Sequence, residues 1–404
     1  MGAVTALGLN VTELWAKLLK GVSGIAPITH FDTTGYKTTI AGELKNFDPQ
    51  NYLDAKEARK TDRFTQMAMA ASAEAYDDAS LENTNYDPNR IGVIVSSGIG
   101  GMETFENEAI KLAQRGPGRV SPFFIPMMIP DIAAGKISMR YNFRGPNYAI
   151  TSACASSANA IADALMMIQL GHADIIVAGG TEAGITPLGV AGFSALRALS
   201  THNQHPEKAS RPFDAERDGF VMGEGAGVVI LESLSHALAR DAKIYAEVAG
   251  FGLSADAHHL TAPSPDGDGA IRAMQGALST AKLSIDQIQY INAHGTSTPA
   301  NDKTETLAIS EVFKDHAHDV NISSTKSMIG HLLGASGAVE AIVSALTIRD
   351  GKIHPTINQE NADPDCGLNY TPNESVTRNV DAALSNSFGF GGHNVCLAFK
   401  KFIN

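Results

Sequence analysis

A chain of 404 residues is long for a single hydrophobic core and predicts two domains or two fused halves. With 31 lysines and arginines against 43 aspartates and glutamates, its formal net charge of −12 argues against general binding to nucleic acid or to anionic membranes. Three cysteines, the lack of a long apolar run and the lack of a signal-peptide pattern favour a cytoplasmic globular protein without a disulfide scaffold.

The first part of the chain contains an abrupt start and a basic helix. Residues 2–8 are typical of the end of a strand or of a turn, so we expect the preceding strand to be missing from this sequence. Residues 53–76 predict one helical region whose basic residues, at i, i+3, i+4 and i+7, share one face. Such a face is either an ordinary solvated one or a docking site for an anionic partner. The basic residues are Lys56, Arg59, Lys60 and Arg63.

Cys154 stands where a short predicted strand gives way to a helix. Residues 148–152 alternate apolar and small side chains as a buried strand does, and residues 158–168 repeat apolar positions at helical spacing up to Gly171. Unpaired backbone N–H groups and the positive end of the helix dipole lower the pKa of a thiol at a helix start. We therefore expect a nucleophile, and the alternative is a small buried core residue.

The order of strands and helices restarts near Ala246. At an offset of 180 residues, small and apolar residues around Cys154 recur in the second half. Alternating strands and helices in both halves predict an α/β protein with largely buried sheets. The recurring pairs are Ala155 with Ala335, Ser156 with Ser336, Ala158 with Ala338, Ile168 with Ile348 and Gly171 with Gly351.

Two segments of the second half carry side chains that suit a catalytic cleft. His294 follows a predicted strand, and the alternative for it is a structural loop histidine. Lys326 and His331 flank a strand-to-helix connection rich in small residues. Glu340 is a possible partner that would make Lys326 an ordinary ion-paired lysine. No histidine pair has a third metal ligand at a suitable spacing, so we predict no catalytic metal.

A glycine-rich segment, Asn386–Asn394, precedes the last predicted strand and contains Phe388 and Phe390. It fits either a tight turn or a loop that supplies backbone N–H donors and a movable phenyl gate. One nucleophilic cysteine with two separate histidines fits acyl transfer, because a protease needs only one histidine as its base. Two neutral imidazoles that donate to one oxygen would stabilise the carbanion formed by loss of carbon dioxide.

Four motifs stand in an order and at separations shared with one family: TSACASS, NAHGTSTPAND, STKSMIGHLLGASGAVE and NSFGFGGHN. By these motifs the chain resembles the beta-ketoacyl-acyl carrier protein synthases, the type II condensing enzymes, over almost its whole length. The resemblance implies a thiolase-like fold of five layers, αβαβα, in two similar halves that each contain a mixed sheet. Residues 1–245 would carry the nucleophilic cysteine and residues 246–404 the two catalytic histidines. It also implies a cytoplasmic homodimer that acts in fatty-acid synthesis.

The resemblance implies a ping-pong condensation of malonyl and acyl thioesters. Cys154 would accept an acyl chain from acyl carrier protein. His294 and His331 would then assist decarboxylation of malonyl carrier protein, and the resulting enolate would attack the acyl thioester to give a 3-oxoacyl product. Lys326 with Glu340 would tune the region of His331. No cofactor is implied beyond the phosphopantetheine arm of the carrier.

Further site residues are implied by the resemblance alone. The backbone N–H groups of Cys154 and Phe390 would form the oxyanion hole, and Phe390 with Phe388 would gate the second substrate. Thr296 and Thr298 would hydrogen-bond the pantetheine arm. An acidic carrier would make the basic residues at 56–63 a docking site, with help from Arg115, Arg119 or Arg197.

Phe105 marks a departure from the family pattern. It follows GIGGMET, where similar long-chain enzymes tend to carry an aliphatic residue at the deep end of the acyl pocket, so we expect a shortened pocket. Two other functions stay open, a ketosynthase of a polyketide-type pathway and a non-catalytic carrier-binding partner subunit, and Cys154 argues against the second. A degradative thiolase would need a second catalytic cysteine, which the motif GFGGHN lacks.

Overall fold

Two five-stranded sheets form the frame of the protein in a computed structural model that describes residues 1–84 and 86–403. The first sheet contains β1 (Gly2–Val4), β2 (Ile91–Ser96), β3 (Asn147–Tyr148), β4 (Ile175–Glu182) and β5 (Gly225–Glu232). The second contains β6 (Glu247–Ala255), β7 (Tyr290–Asn292), β8 (Asn321–Ser323), β9 (Ala382–Gly389) and β10 (His393–Lys400). Short two-residue strands pair outside these sheets, Ala26–Pro27 with Ile40–Ala41 and Lys352–Ile353 with Val376–Thr377.

The two sheets share one topology. Their strand orders are β3-β2-β4-β5-β1 and β8-β7-β9-β10-β6. In each sheet the first two pairings of that order are parallel and the last two are antiparallel. This confirms the predicted α/β fold of two similar halves, each with a mixed sheet. β1 forms at residues that the sequence predicts to end a strand or to form a turn.

Helices supply the other three layers. α3 and α6 cover the outer face of the first sheet, α7 and α13 lie between the sheets, and α10 and α11 cover the outer face of the second. The resulting αβαβα order is the five-layer arrangement that the resemblance implies. The helices are α1 (Val11–Leu19), α2 (Ala55–Ala58), α3 (Arg63–Asp78), α4 (Met102–Arg115), α5 (Phe124–Met128), α6 (Ile132–Tyr141), α7 (Ser156–Gln169), α8 (Pro187–Ala195), α9 (Leu234–Ala239), α10 (Asp268–Ala281), α11 (Pro299–Phe313), α12 (Lys326–Ile329) and α13 (Ser336–Asp350).

The central layer depends on small residues. Every residue of α13 from Ser336 to Ile348 is buried, as expected for a helix covered on all sides. A Cβ atom at Gly337 would lie 2.9 Å from the Cβ atom of Ala158, so glycine at this position allows α7 and α13 to approach closely. The segment of Cys154 and the segment of His331 are thereby brought together, because each precedes the start of one of these helices.

α7 and α13 begin and end in the same way, which confirms the repeat found in the sequence. Each is preceded by a short turn whose first residue has a positive φ, 51° at Ala153 and 47° at Leu333. This left-handed conformation costs a non-glycine residue about 1–2 kcal/mol, so its recurrence at the same offset reflects a shared design. Each helix is followed by a glycine of positive φ, Gly171 at 75° and Gly351 at 61°.

The predicted single helix over residues 53–76 is wrong, because the chain breaks between α2 and α3. Asp54 accepts the N–H groups of Lys56 and Glu57 at the start of α2. Asp62 accepts the Phe64 N–H at the start of α3. Aspartate is a strong N-cap residue, and two caps eight residues apart favour two helix starts over one continuous helix. The basic residues of this region therefore do not share one helix face.

Candidate active site

Cys154 lies in the turn that joins β3 to α7, and it is 7% exposed. The Ser156 hydroxyl fixes this turn, since it accepts the Ser152 N–H at 3.0 Å and donates to the Ala153 carbonyl at 2.6 Å. The backbone N–H groups of Phe390 and of Cys154 itself lie near the sulfur and act to lower the pKa of the thiol. The thiol is therefore at the start of α7, where the sequence predicts it, with two backbone donors beside it.

The pKa of the Cys154 thiol moves against the sequence-based expectation. Burial raises this pKa to about 12, although the Lys326 charge and the Phe390 N–H act to lower it. The sulfur belongs to an apolar cluster with Ile185 and Leu333, so a thiolate there loses most of its hydration. The expected lowering of the thiol pKa is therefore wrong, and Cys154 is a thiol at neutral pH.

His294 follows β7 and is held through its backbone. The Glu305 carboxylate, on α11, accepts the His294 N–H at 2.8 Å. The buried imidazole lies edge-on to His331, with ring centroids 5.4 Å apart, and 5.6 Å from the Phe388 ring. The sequence did not single out Glu305, because a buried carboxylate inside a polar helix gives no pattern of its own.

His331 has a defined tautomer. Its Nδ1 accepts the Leu333 N–H at 3.2 Å and lies 2.9 Å from the Ser336 hydroxyl. An Nδ1 atom that accepts a backbone N–H carries no hydrogen, so the neutral ring carries its hydrogen on Nε2. The main chain of His331 is fixed by the Val221 carbonyl at 2.7 Å and the Gly223 N–H at 2.9 Å. His331 therefore offers a hydrogen-bond donor to its surroundings.

Lys326 and Glu340 form a buried ion pair, with Nζ and Oε1 2.5 Å apart and each side chain 1% exposed. The predicted pairing of these two residues is confirmed. Burial raises the pKa of Glu340 to about 7, against the effect of the Lys326 charge. Burial also holds the pKa values of His294 and His331 well below 6.5, and the Lys326 charge lowers both further. Both imidazoles are therefore neutral near physiological pH.

The glycine-rich segment forms a tight hairpin that also reaches the cysteine. β9 and β10 pair antiparallel across it. A Cβ atom at Gly389 would lie 2.6 Å from the Ser152 carbonyl oxygen and 3.2 Å from the Cys154 nitrogen, so glycine alone allows this approach. Phe388 and Phe390 stand on either side of Gly389. The tight turn drawn from the sequence is therefore present, and the role of the loop as a donor and gate stays a prediction.

One cavity of about 380 Å³ brings the predicted site residues together. Cys154, His294 and His331 line it, together with Thr296 and Thr298, whose hydroxyl oxygens are 3.0 Å apart. The gate residues and one suggested docking residue line it as well: Phe388, Phe390 and Arg197. Its apolar walls come from residues that the sequence did not single out: Phe193, Leu196, Phe220 and Leu333.

Phe105 lies outside the set of residues that line this cavity. It is 43% exposed, and its ring centroid is 6.5 Å from that of Phe124. Phe105 lies on α4, which starts directly after the glycine loop, residues 98–101. Ile99 of this loop packs against the apolar cluster of Cys154. An effect of Phe105 on the acyl pocket stays a prediction.

The basic residues at 56–63 have separate environments. The Arg63 guanidinium forms an ion pair with the buried Glu224 at 2.7 Å, which neutralises its charge, and its place in a docking face stays a prediction. The Lys60 ammonium lies 4.3 Å from the Phe123 ring centroid. Lys56 and Arg59 are exposed, which leaves these two as the open candidates for docking.

The described residues contain neither a candidate metal centre nor a candidate membrane span. Within 1–84 and 86–403, no three His, Cys, Asp or Glu side chains are grouped so that they could hold a metal ion. No helix in the same ranges has both the length and the apolar composition to cross a membrane. The absence of a catalytic metal stays a prediction.

Two family models match the chain, and curated proteins match it over its whole length. The beta-ketoacyl synthase N-terminal domain matches residues 1–237, and the C-terminal domain of the same name matches residues 245–360. The 3-oxoacyl-(acyl-carrier-protein) synthase 2 of Synechocystis sp. is 51% identical over 402 residues, covering 100% of this chain and 97% of that protein. The protein of the same name from Staphylococcus aureus is 52% identical with the same coverage.

Solved structures of ketosynthases are also similar to this chain over almost its whole length. A beta-ketoacyl synthase from Burkholderia phymatum has a TM-score of 0.91 at 34% identity, covering 100% of this chain and 98% of that one. A structure of AntDE:AntF, a type II PKS acyl-carrier protein in complex with its ketosynthase, has a TM-score of 0.93 at 32% identity, covering 99% and 98%. These likenesses extend over both halves of the chain.

Proposed function

This chain belongs to the beta-ketoacyl synthase family, and we propose that Cys154 is the residue on which it holds an acyl group for condensation. The enzyme is an acyltransferase of fatty-acid elongation: it condenses malonyl-acyl carrier protein with the acyl group, with loss of carbon dioxide, to give 3-oxoacyl-acyl carrier protein. The observation that carries the residue assignment is the cavity that Cys154, His294 and His331 line together. Identity of 51–52% over the whole chain supports a fatty-acid substrate over a polyketide one.

The first half-reaction transfers the acyl group to Cys154. The thiol sulfur attacks the thioester carbon, the bond to the carrier's pantetheine sulfur breaks, and the thiol proton ends on that sulfur. The N–H groups of Cys154 and Phe390 would donate to the oxyanion of the tetrahedral intermediate, and their effect on the thiol pKa supports this role. Burial raises the pKa of this thiol, so Cys154 still carries its proton when the thioester binds.

The second half-reaction uses the imidazoles. The bond between the malonyl carboxylate and its neighbouring carbon breaks, carbon dioxide leaves, and the electron pair forms an enolate on the thioester. The Nε2–H of His331 donates to the enolate oxygen, and the adjacent neutral His294 supplies a second donor. The enolate carbon then attacks the acyl carbon on Cys154, the bond between that carbon and the Cys154 sulfur breaks, and the released thiolate takes a proton from solvent.

The experiment that tests this function is a reconstituted assay. Purified protein is supplied with malonyl-acyl carrier protein and a panel of straight-chain acyl-carrier proteins, and the 3-oxoacyl product and carbon dioxide are measured together. We expect one carbon dioxide for each product formed. No product with any acyl chain would show a non-catalytic subunit, and repeated extension of one chain without reduction would show a polyketide-type ketosynthase.

We propose acyl carrier protein as the partner, with no cofactor beyond its phosphopantetheine arm. A solved relative is a complex of an acyl-carrier protein with its ketosynthase, which supports this partner. The Thr296 and Thr298 hydroxyls lie in the cavity where they would meet an entering arm.

The double variant Lys56→Glu and Arg59→Glu should raise KM for acyl carrier protein about tenfold at low salt and leave kcat unchanged. Both side chains are exposed, and reversing their charge repels an acidic partner without touching the cavity. Initial rates at increasing salt measure the effect, which should shrink as salt screens the charges. The exposed Lys282, on the other half, gives the control variant Lys282→Glu. Equal KM values in the double variant and the wild type would show that Lys56 and Arg59 do not form a docking site.

We further propose a cytoplasmic homodimer. β3 is an edge strand of the first sheet, and the neighbouring α4, α5 and α6 expose large apolar side chains that a second copy would cover. They include Ile110 and Leu112 at 48%, Ile125 at 55% and Met139 at 68% exposure. All three cysteines are free thiols, which supports a reducing compartment. Light scattering in solution should give twice the mass of the chain.

Phe105→Ala should lengthen the longest acyl chain that the enzyme accepts by about two carbons or more, since removing a phenyl group frees a volume of several methylene groups. The acyl-carrier panel measures this directly. Leu238→Ala, at an exposed position of α9 and outside the proposed dimer surface, is the control and should leave the panel unchanged. A panel that is identical in Phe105→Ala and the wild type would refute the role of Phe105.

A further inference from the structure

Glu182, the last residue of β4, is a fully buried carboxylate that the mechanism above does not use. Its Oε1 accepts the Ser97 hydroxyl at 2.7 Å and the Ile99 N–H at 3.2 Å. Its Oε2 accepts the N–H groups of Gly98 at 2.8 Å and Gly334 at 2.9 Å. All four partners are donors, so the ionised carboxylate is the form that satisfies them.

The donors come from both halves of the protein. Ser97, Gly98 and Ile99 follow β2 in the first half, whereas Gly334 lies in the turn before α13 in the second. Glu182 is therefore a single group that fastens the glycine loop of one half to the helix start of the other. A buried charge with this many donors is costly to disturb, because each donor would be left without a partner.

Gly334 is the counterpart of Cys154 in the repeat. The two residues are 180 positions apart, and the residues before them, Leu333 and Ala153, have φ values of 47° and 51°. In the first half, the Cys154 N–H lies near its own sulfur and acts to lower the thiol pKa, and in the proposed reaction it would donate to the oxyanion of the substrate. In the second half, the equivalent N–H of Gly334 already binds an anionic oxygen, that of Glu182.

We propose that Glu182 is a positioning residue whose carboxylate permanently fills the second half's counterpart of the oxyanion hole and so holds the turn that orients His331. This inference rests on the proposed function. Leu333 precedes Gly334 and donates its N–H to Nδ1 of His331, so the turn fixes both the direction of the imidazole and its tautomer. Leu333 has a left-handed φ, which a leucine keeps only where its surroundings enforce it.

The two half-reactions should depend on Glu182 to different extents. The Cys154 turn is held by Ser152 and Ser156, which make no hydrogen bond to Glu182. The Glu182 charge acts to raise the pKa of the Cys154 thiol, so its loss should not slow acyl loading. The His331 turn, in contrast, contains Gly334, whose N–H has Glu182 as its acceptor. Loss of the carboxylate should therefore impair malonyl decarboxylation more than acyl loading.

Glu182→Gln is the first test. The amide keeps the shape of the side chain but turns an NH2 group toward backbone donors, so the Gly334 turn loses part of its anchor. We expect carbon dioxide release from malonyl-acyl carrier protein to fall by about 10- to 100-fold, as for a displacement of a catalytic group by about 1 Å. Acylation of Cys154, followed by intact-protein mass, should change by less than about threefold.

Glu182→Ala and Glu182→Asp extend the test. Formate, a small carboxylate, should restore part of the decarboxylation in Glu182→Ala and have no effect on the wild type. Glu182→Asp keeps the charge one methylene short and should give an intermediate loss. The control is Glu74→Gln, which removes another carboxylate that accepts two backbone N–H groups, those of Ala3 and Val11 at 2.9 and 2.8 Å, and should keep both activities.

Three results would overturn the inference. They are equal losses in loading and decarboxylation, an unchanged decarboxylation rate in Glu182→Gln, and an Nδ1–H tautomer of His331 in the wild type. The last is measured by nitrogen-15 NMR of histidine-labelled wild-type protein and needs no variant to fold. A wild-type protein that neither loads nor decarboxylates would instead contradict the proposed function, so the two failures are distinct.

Discussion

Cys154→Ala should abolish the covalent acyl-enzyme and lower condensation by about 10³-fold or more. Among the described residues that line the cavity, Cys154 alone carries a thiol, so no other sulfur there can accept the acyl group. Malonyl decarboxylation should persist, because His294, His331 and the charge of Lys326 remain in place. Intact-protein mass after incubation with acyl carrier protein reports the acyl-enzyme, and carbon dioxide release reports the second activity.

Cys396→Ala is the matched control for this experiment. Cys396 is fully buried in β10 and is not among the cavity residues, so its replacement should leave the acyl mass shift unchanged. Each substitution removes one buried sulfur atom and should cost about 1 kcal/mol of stability, which thermal unfolding checks. An acyl adduct on Cys154→Ala of the same size as on the wild type would mean that another group is the nucleophile.

The position of Cys154 could be predicted from the sequence because it is a local property. A strand of a few residues, small residues and a periodic apolar helix all lie within about 25 positions of the cysteine. Its pKa could not be predicted in the same way. The apolar cluster around the sulfur draws on Ile185 and Leu333, which only tertiary packing brings to the turn. Burial then outweighs the effect of the helix start.

The basic residues at 56–63 also have contacts that the sequence could not predict. Helical spacing predicted one face, but Arg63 turns inward to Glu224, a partner 161 positions away in the chain. The buried carboxylates Glu182 and Glu305 escaped notice for a related reason. Each is recognised by the backbone N–H groups that donate to it. The positions of backbone groups depend on the fold, so they cannot be predicted from residue types alone.

His294→Ala and His331→Ala should each slow malonyl decarboxylation by about 10²- to 10³-fold, the usual cost of removing one donor to a developing oxyanion. Both variants should still form the acyl-enzyme, because the N–H groups beside the Cys154 sulfur are unchanged. His331→Gln keeps an N–H donor and should retain more activity than His331→Ala. His172→Ala, at an exposed position, controls for the loss of a histidine as such. Unimpaired decarboxylation in either alanine variant would exclude a mechanism with two donors.

The pH dependence separates donor imidazoles from charged ones. Burial and the Lys326 charge hold the pKa values of His294 and His331 well below 6.5, so both rings stay neutral until the pH falls well under that value. The imidazoles should therefore add no pH dependence to the decarboxylation rate between about pH 7.5 and about pH 6.0, a range in which ordinary histidines gain most of their charge. Burial raises the pKa of Glu340 to about 7, in the same range, so the profile is measured in Glu340→Gln as well as in the wild type, and the Glu340→Gln profile should be flat. A rate that rises over this range as the rings would become protonated would show that imidazolium is the active form. A rate that falls by half near pH 6.5 would show that the rings keep an ordinary pKa, and that burial does not protect the neutral donors this mechanism requires.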